Sequence, residues 1–198
     1  MDANDAADLM APEDDNHFKR RAAITIAVMA MLLAIAGLGG ASAGGDMTNN
    51  NIQASNFYAF YQAKNARQTS YELAANDLEL GLLRDAGASA EAKAATLKRI
   101  AEYRATVARY ESDPKERDGK KELVERAREA EAARDLAARR GPYFDYANAL
   151  LQIAIVLSSV AIVAVSGALL WSGTAIGLVG ALLTLNGYFL IVRLPFLE

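Results

Sequence analysis

The sequence predicts an all-α integral membrane protein, in which a long antiparallel, coiled-coil-like helical hairpin is inserted between the first and second of three transmembrane helices. Two observations carry this prediction. Ala22 to Ala43, Ala149 to Leu170 and Ser172 to Val192 contain no charged residue, so each can cross the hydrocarbon core as a helix. Lys93 to Arg140, by contrast, is mostly Ala, Glu, Lys and Arg, the composition of a solvated helix. The averages over 198 residues, 53% hydrophobic and 23% charged, blend these unlike parts.

Met1 to Asn16 is acidic and without hydrophobic periodicity, and residues 1–18 are expected to form a disordered tail. Residues 19–45 form the first transmembrane helix with its basic flank, Lys19, Arg20 and Arg21. Its apolar run is about 33 Å long as a helix. The basic cluster, apolar core and Ala41-Ser42-Ala43 also fit a cleaved leader, against which the long acidic stretch before them argues. Residues 143–198 are read as a transmembrane hairpin, with spans at about 146–170 and 173–193 joined at Trp171-Ser172-Gly173. Folding about Ser172 sets Gly177 opposite Gly167 and Gly180 opposite Ala164, small residues that permit close helix approach. The same register brings Asn186 level with Ser158 and Ser159. A hydrogen bond to one of them is expected, with a neighbouring copy or a hydrated pore as the alternatives.

Residues 46–142 are expected to form the extramembrane hairpin. One helix rises from Asp46 to about Asp85, and two collinear helices descend, Ala90 to Glu111 and Lys115 to Arg140. Between the descending pair, Asp113 suits an N-cap and Pro114 the first helical position. Gly141-Pro142 marks the joint to the second span. A seam is visible in Ile100, Tyr103, Val107 and Tyr110, and in Leu123, Ala127, Ala130 and Leu136. Alanine buries little area, so this seam is expected to need several packed copies.

The densest cluster of chemistry-bearing residues is Phe57, Tyr58, Phe60, Tyr61, Gln62, Lys64, Arg67 and Tyr71, a candidate interaction patch. On a helix Phe57, Tyr61, Lys64 and Tyr71 share a face, which could hold a ligand or lipid headgroup through cation-π contact, or could pack the hairpin. Packing is the favoured reading. No cysteine, one histidine, no phosphate-binding glycine loop and no nucleophile elbow argue against an enzyme, a metal site or a cofactor. A net charge of -3 argues against nucleic acid. The spans lack Asp, Glu, Lys, Arg and His, which counts against a pump or transporter.

Ala54-Ser55-Asn56 with Ala59-Phe60-Tyr61-Gln62-Ala63-Lys64, and Phe144-Asp145 followed by Ala149-Leu150-Leu151-Gln152-Ile153-Ala154-Ile155, resemble a bacterial membrane-protein family catalogued as domain of unknown function 4337. Tyr58 stands where that family often has Trp, and the loop around Trp171 lacks the family's basic residues. The resemblance implies an integral membrane protein and carries no activity. By the positive-inside rule Lys19, Arg20 and Arg21 place the amino terminus in the cytoplasm and the helical domain in the periplasm of a bacterial inner membrane. The expected function is structural: a homo-oligomer or an accessory subunit that uses its helical hairpin to dock other membrane subunits. The alternative is an oligomeric channel or envelope sensor, with Thr25, Ser158, Ser159, Thr184 and Asn186 as candidate pore residues.

Overall fold

The computed structural model describes residues 13–85 and 87–195. Its elements are α1 (Glu13–Arg84), α2 (Ala90–Glu111), α3 (Lys120–Ala164) and α4 (Gly167–Phe189), and no strand occurs among the described residues. Helices α1, α3 and α4 are each long and apolar enough to cross a membrane. Contacts divide the chain into an apolar unit, Met1–Met47 with Asp135–Glu198, and a charged unit, Thr48–Arg134.

Several boundaries differ from the sequence expectation. Residues 1–12 of the expected tail lie outside the described residues, but its last part is already helical. Asn16 to Arg21 contains no Gly or Pro, so the helix nucleated in the apolar run extends outward through it. Helix α1 also runs through Gly44 and Gly45 without a break. Pro142 marks no joint: α3 continues through it. The missing N–H releases one carbonyl, and Tyr143 and Phe144, 2% and 1% exposed, anchor the chain immediately beyond.

In the apolar unit the buried positions of α4 are Gly173, Gly177, Gly180, Thr184, Asn186 and Gly187. Four of the six are glycine, yet no described glycine takes positive φ, so these residues serve close approach and not chain reversal. A Cβ on Gly173 would lie 2.7 Å from Ser158 Oγ and 3.0 Å from the Ala154 carbonyl. One on Gly180 would stand 2.9 Å from Leu151 Cγ, and one on Gly187 2.9 Å from the Phe144 ring. The facing stripe on α3 is Ala147, Leu151, Ala154 and Ser158, all buried. Helix α1 adds Met29 and Ala36 to this core, and Gly39 and Gly40 lie against Phe144. The Tyr188 hydroxyl donates to the Ile35 carbonyl at 3.1 Å, and the Phe144 and Tyr188 rings meet edge to face at 4.9 Å.

Large side chains point the other way. Leu38, Val163, Trp171 and Phe189 are 68%, 87%, 77% and 71% exposed. Small residues inside and large apolar residues outside is the pattern of helices whose surroundings are themselves apolar.

The turn between α3 and α4 falls at Val165 and Ser166, not at Trp171-Ser172-Gly173. Val165 adopts φ 46°, and the Ser166 N–H bonds back to the Ala161 carbonyl at 3.1 Å. The expected register is therefore wrong. Gly177 packs on Ala154 and Met29 instead of Gly167, and Gly180 on Leu151 and Ala147 instead of Ala164. Ala164 and Gly167 flank the turn and are exposed. Asn186 reaches neither serine. Its Nδ2 donates to the Val192 carbonyl at 2.7 Å, and its Oδ1 accepts from the Val192 N–H at 2.8 Å. Leu190, at φ 49°, ends α4 in the left-handed conformation. The Tyr143 hydroxyl completes the cap, donating to the Val192 carbonyl at 3.2 Å and accepting from the Leu194 N–H at 3.0 Å. Asn186 thus satisfies both backbone groups of Val192, in the segment that follows α4. The Ser159 hydroxyl returns to the Ile155 carbonyl at 2.8 Å. Buried Ser158 has no hydroxyl partner among the described residues, and its small volume is what fits beneath Gly173.

This packing makes the glycines unequal. Gly173→Ala must displace the α3 backbone and is expected to cost about 1–3 kcal/mol. Gly45→Ala, whose Cβ would meet nothing within 4 Å, is expected to stabilise α1 by about 0.5–1 kcal/mol. Thermal unfolding of the detergent-solubilised chain should shift in opposite directions for the two variants. Equal shifts would contradict the α3–α4 register.

Candidate functional site

The charged unit contains the densest set of polar and aromatic contacts. Along α1 buried and half-buried residues at alternating three- and four-residue intervals, Ala54, Phe57, Tyr61, Lys64, Gln68, Tyr71, Ala75 and Leu78, form one face, with Tyr58, Glu72, Ala74 and Glu79 half-buried beside it. That is a heptad face. Opposite it stand Ile100, Tyr103, Val107 and Tyr110 of α2, with Leu123, Ala127 and Ala130 of α3 also buried or half-buried. Leu136, expected on the seam, is 45% exposed, and Ala137 is buried in its place. The registers of 130 and 137, seven apart, place 136 on the outer side.

Contacts along α1 run in rising number while their partners fall. Arg104 Nη2 bonds Asn76 Oδ1 at 2.9 Å and Glu79 Oε1 at 3.0 Å. The Tyr71 ring meets Tyr103 and Tyr110 edge to face, with centroids 5.4 and 6.0 Å apart. Lys64 Nζ reaches Asp118 at 2.6 Å and lies 5.4 Å from the Tyr110 centroid. Lys120 Nζ bonds Glu111 at 3.1 Å and Asn65 Oδ1 at 3.0 Å, and stands 5.7 Å over Tyr61. The Arg126 guanidinium sits 4.3 Å over Phe57, and Arg134 donates to Asn51. Phe57, Tyr61, Tyr71, Tyr103 and Tyr110 are thus each matched to a cation or another ring within the unit.

A polar knot forms where α2 passes to α3. Gln68, 7% exposed, donates from Nε2 to the Val107 carbonyl and to Glu111 Oε2, both at 3.4 Å. The third helix begins at Lys120, not Lys115. Asp113 does cap a turn, its Oδ1 accepting from the Glu116 N–H, but Arg117 at φ 56° breaks that turn. The chain restarts at Gly119, whose carbonyl accepts from the Leu123 N–H at 2.9 Å. Glu122 then reaches back to the Ser112 hydroxyl and the Asp113 N–H, and a side chain on Gly119 would collide with both segments. Both bonds of this tie end on the Glu122 carboxylate, which accepts from the turn before its own helix.

Two carboxyls titrate below their usual range. Glu111 is lowered chiefly by its hydrogen bond from Lys120 and then by that from Gln68. Glu122 is lowered chiefly by the Ser112 hydroxyl and then by the Asp113 N–H. Carboxylates with depressed folded-state pKa values contribute stability above the unfolded value, and that stability is lost as the pH falls through the folded one.

The structure divides the sequence-predicted patch. Phe57, Tyr58, Tyr61, Lys64 and Tyr71 are half-buried, whereas Phe60, Gln62 and Arg67 are exposed. Successive helical residues step about 100° round the axis, so sequence neighbours do not share a face. Gln68 and Asn65, which the patch omitted, supply contacts as close as those of the aromatics. The heptad through Lys64 was the signal that could have found Gln68. Of the motif residues, Ala54, Phe144, Leu151 and Ala154 are buried, and Tyr61 and Lys64 are half-buried.

Two measurements test this arrangement. Tyr71→Ala removes two ring contacts and should destabilise the charged unit by about 2–4 kcal/mol, while Phe60→Ala should stay within about 0.5 kcal/mol. Chemical unfolding followed by circular dichroism distinguishes them. Acidification below the ordinary glutamate range should release the knot, and hydrogen exchange of the Ser112 to Lys120 amides should accelerate there before the rest of the unit. Exchange in that segment that is insensitive to acid would contradict the roles of Glu111 and Glu122.

No curated protein and no solved structure matches this chain. A sequence family described as domain of unknown function (DUF4337) matches residues 18–190. That match covers most of the chain, which therefore belongs to this family.

Proposed function

We propose that the chain is a non-enzymatic structural protein that spans a bacterial inner membrane three times. In this reading it acts as a homo-oligomer or as an accessory subunit of a larger membrane complex. The observation that carries the reading is that the half-buried face of the charged unit closes on itself through ion pairs and a cation–ring contact: Lys64 to Asp118, Lys120 to Glu111, Arg104 to Glu79 and Arg126 to Phe57. Such a unit offers helix surface, not a reactive centre, and its antiparallel helices suit it to docking. Against the channel or sensor alternative, the hydroxyls of Thr25, Ser159 and Thr184 bond carbonyls of their own helices. The proposed partners are the lipid bilayer and further membrane subunits, with no nucleic acid and no cofactor.

The basic residues Lys19, Arg20 and Arg21 support a cytoplasmic amino terminus and a periplasmic charged unit. The chain has no cysteine, so single cysteines report sidedness. Ser89 caps α2, its hydroxyl accepting from the Ala92 N–H, which makes Lys115, exposed in the turn before α3, the better probe position. Lys115→Cys is expected to react with a membrane-impermeant thiol reagent in intact cells. Reaction only after lysis would place the unit in the cytoplasm. Native mass spectrometry of the full chain released from detergent should retain copies or other subunits. A bare monomer with no cross-linked neighbour in the membrane would overturn the reading.

A further inference from the structure

Helix α1 carries a second stripe in the charged unit, opposite the packed one. Ile52, Ala59, Ala66, Leu73 and Leu80 recur every seven residues and are all exposed. Ile52, Leu73 and Leu80 are 52%, 60% and 48% exposed. The positions four residues after the first four of these are Asn56, Ala63, Ser70 and Asp77, also exposed. This is the spacing of a coiled-coil seam, presented outward over about 42 Å of helix. Among the described residues nothing covers it.

We infer that this face of α1 packs against the same face of α1 in a second copy of the chain, in parallel. The charge pattern selects that occupant. In a contact around a symmetry axis parallel to both helices, each residue on the axis meets its own copy, so a charge there repels itself. The stripe contains no charge from Ile52 to Ser70 and only Asp77 beyond it. Elsewhere the unit is densely charged: Glu91, Lys98, Arg99, Glu102, Arg104 and Arg109 are all exposed on α2. A foreign partner would gain from a charged complement, whereas a self-contact needs neutrality. The direction rests on the proposed membrane reading, since copies inserted with one orientation can pair these segments only in parallel. Confinement to one membrane also raises the effective concentration, which lets a single alanine-containing seam suffice.

The cysteine-free chain makes the inference testable in full length. Ala66→Cys and Ala105→Cys are isosteric at the outset, both replacing exposed alanines, the second on α2. Mild oxidation in native membranes should give a disulfide-linked dimer with Ala66→Cys and none with Ala105→Cys. Asp77→Asn should raise the dimer yield of Ala66→Cys several-fold by removing self-repulsion, and Leu73→Asp should abolish it, with helicity by circular dichroism unchanged. Equal yields from the two cysteines, or a lower yield with Asp77→Asn, would overturn the inference. If the chain remains oligomeric by native mass spectrometry while Ala66→Cys fails to cross-link, this face is wrong and the structural reading stands. A monomer bound to a different protein likewise sinks the self-contact alone, and a monomer with no neighbour sinks both.

Discussion

The packing of the apolar unit depends on how closely α3 and α4 approach, and that distance is set by hydrogen atoms where side chains would be. Gly173, Gly177, Gly180 and Gly187 bring α4 against Ser158, Ala154, Leu151 and Phe144. Lipid gives apolar helices no hydrophobic reason to associate, so contact must come from dispersion between close backbones. Each glycine costs helix propensity, about 1 kcal/mol relative to alanine. Four on one face of one helix are tolerable only where the approach returns more than that. The same economy of volume explains Ser158, a buried hydroxyl with no partner among the described residues, where a larger side chain would separate the helices.

The charged unit solves a different problem. In water its helices have an apolar drive to pack, yet their facing positions include Lys64 and Gln68 between Tyr61 and Tyr71. The rings act as spacers with polar edges. Tyr61, Tyr110 and Phe57 each lie beneath a cation, so the cation's stem packs on the ring while its head keeps a carboxylate or, for Arg126, the Arg117 carbonyl. Specific polar partners also fix register better than alanine can. Lys120 meets Glu111 and Asn65 at one height only, and a slip by one heptad would break these bonds together with those of Gln68 and Arg104.

What the sequence made legible follows from how strongly each feature is encoded. The three apolar runs were plain because a single charge in them would be costly, and the aromatic face was plain because four of its residues recur at helical spacing. The turn at Val165 was not legible. Trp171-Ser172-Gly173 contains a glycine and reads as a turn, but Gly173 is there because Ser158 and Ala154 leave no room for Cβ. That error of about six residues displaced the whole register and gave Asn186 the wrong partner. The α1 heptad was obscured for the opposite reason: Lys64 and Gln68 interrupt a purely apolar count, although the structure gives both a place on the face. Gly141-Pro142 misled because proline ends helices on average, while Tyr143 and Phe144 hold this one together.

The two sides of α1 in the charged unit invert the usual division of residues in water. The packed side holds a lysine and a glutamine, both engaged, while the open side holds Ile52, Leu73 and Leu80. Burying such aliphatic side chains fully is worth about 1.5–3 kcal/mol each, so an isolated unit forgoes much of that gain. A single exposed leucine is ordinary on any protein surface. Five small or aliphatic residues held at one seven-residue interval are not, because random placement of apolar residues on a solvated helix spreads them round the axis. The spacing is the informative quantity. A seven-residue interval keeps a stripe straight only against another helix that supercoils with it, which is a requirement of packing and has no use in water.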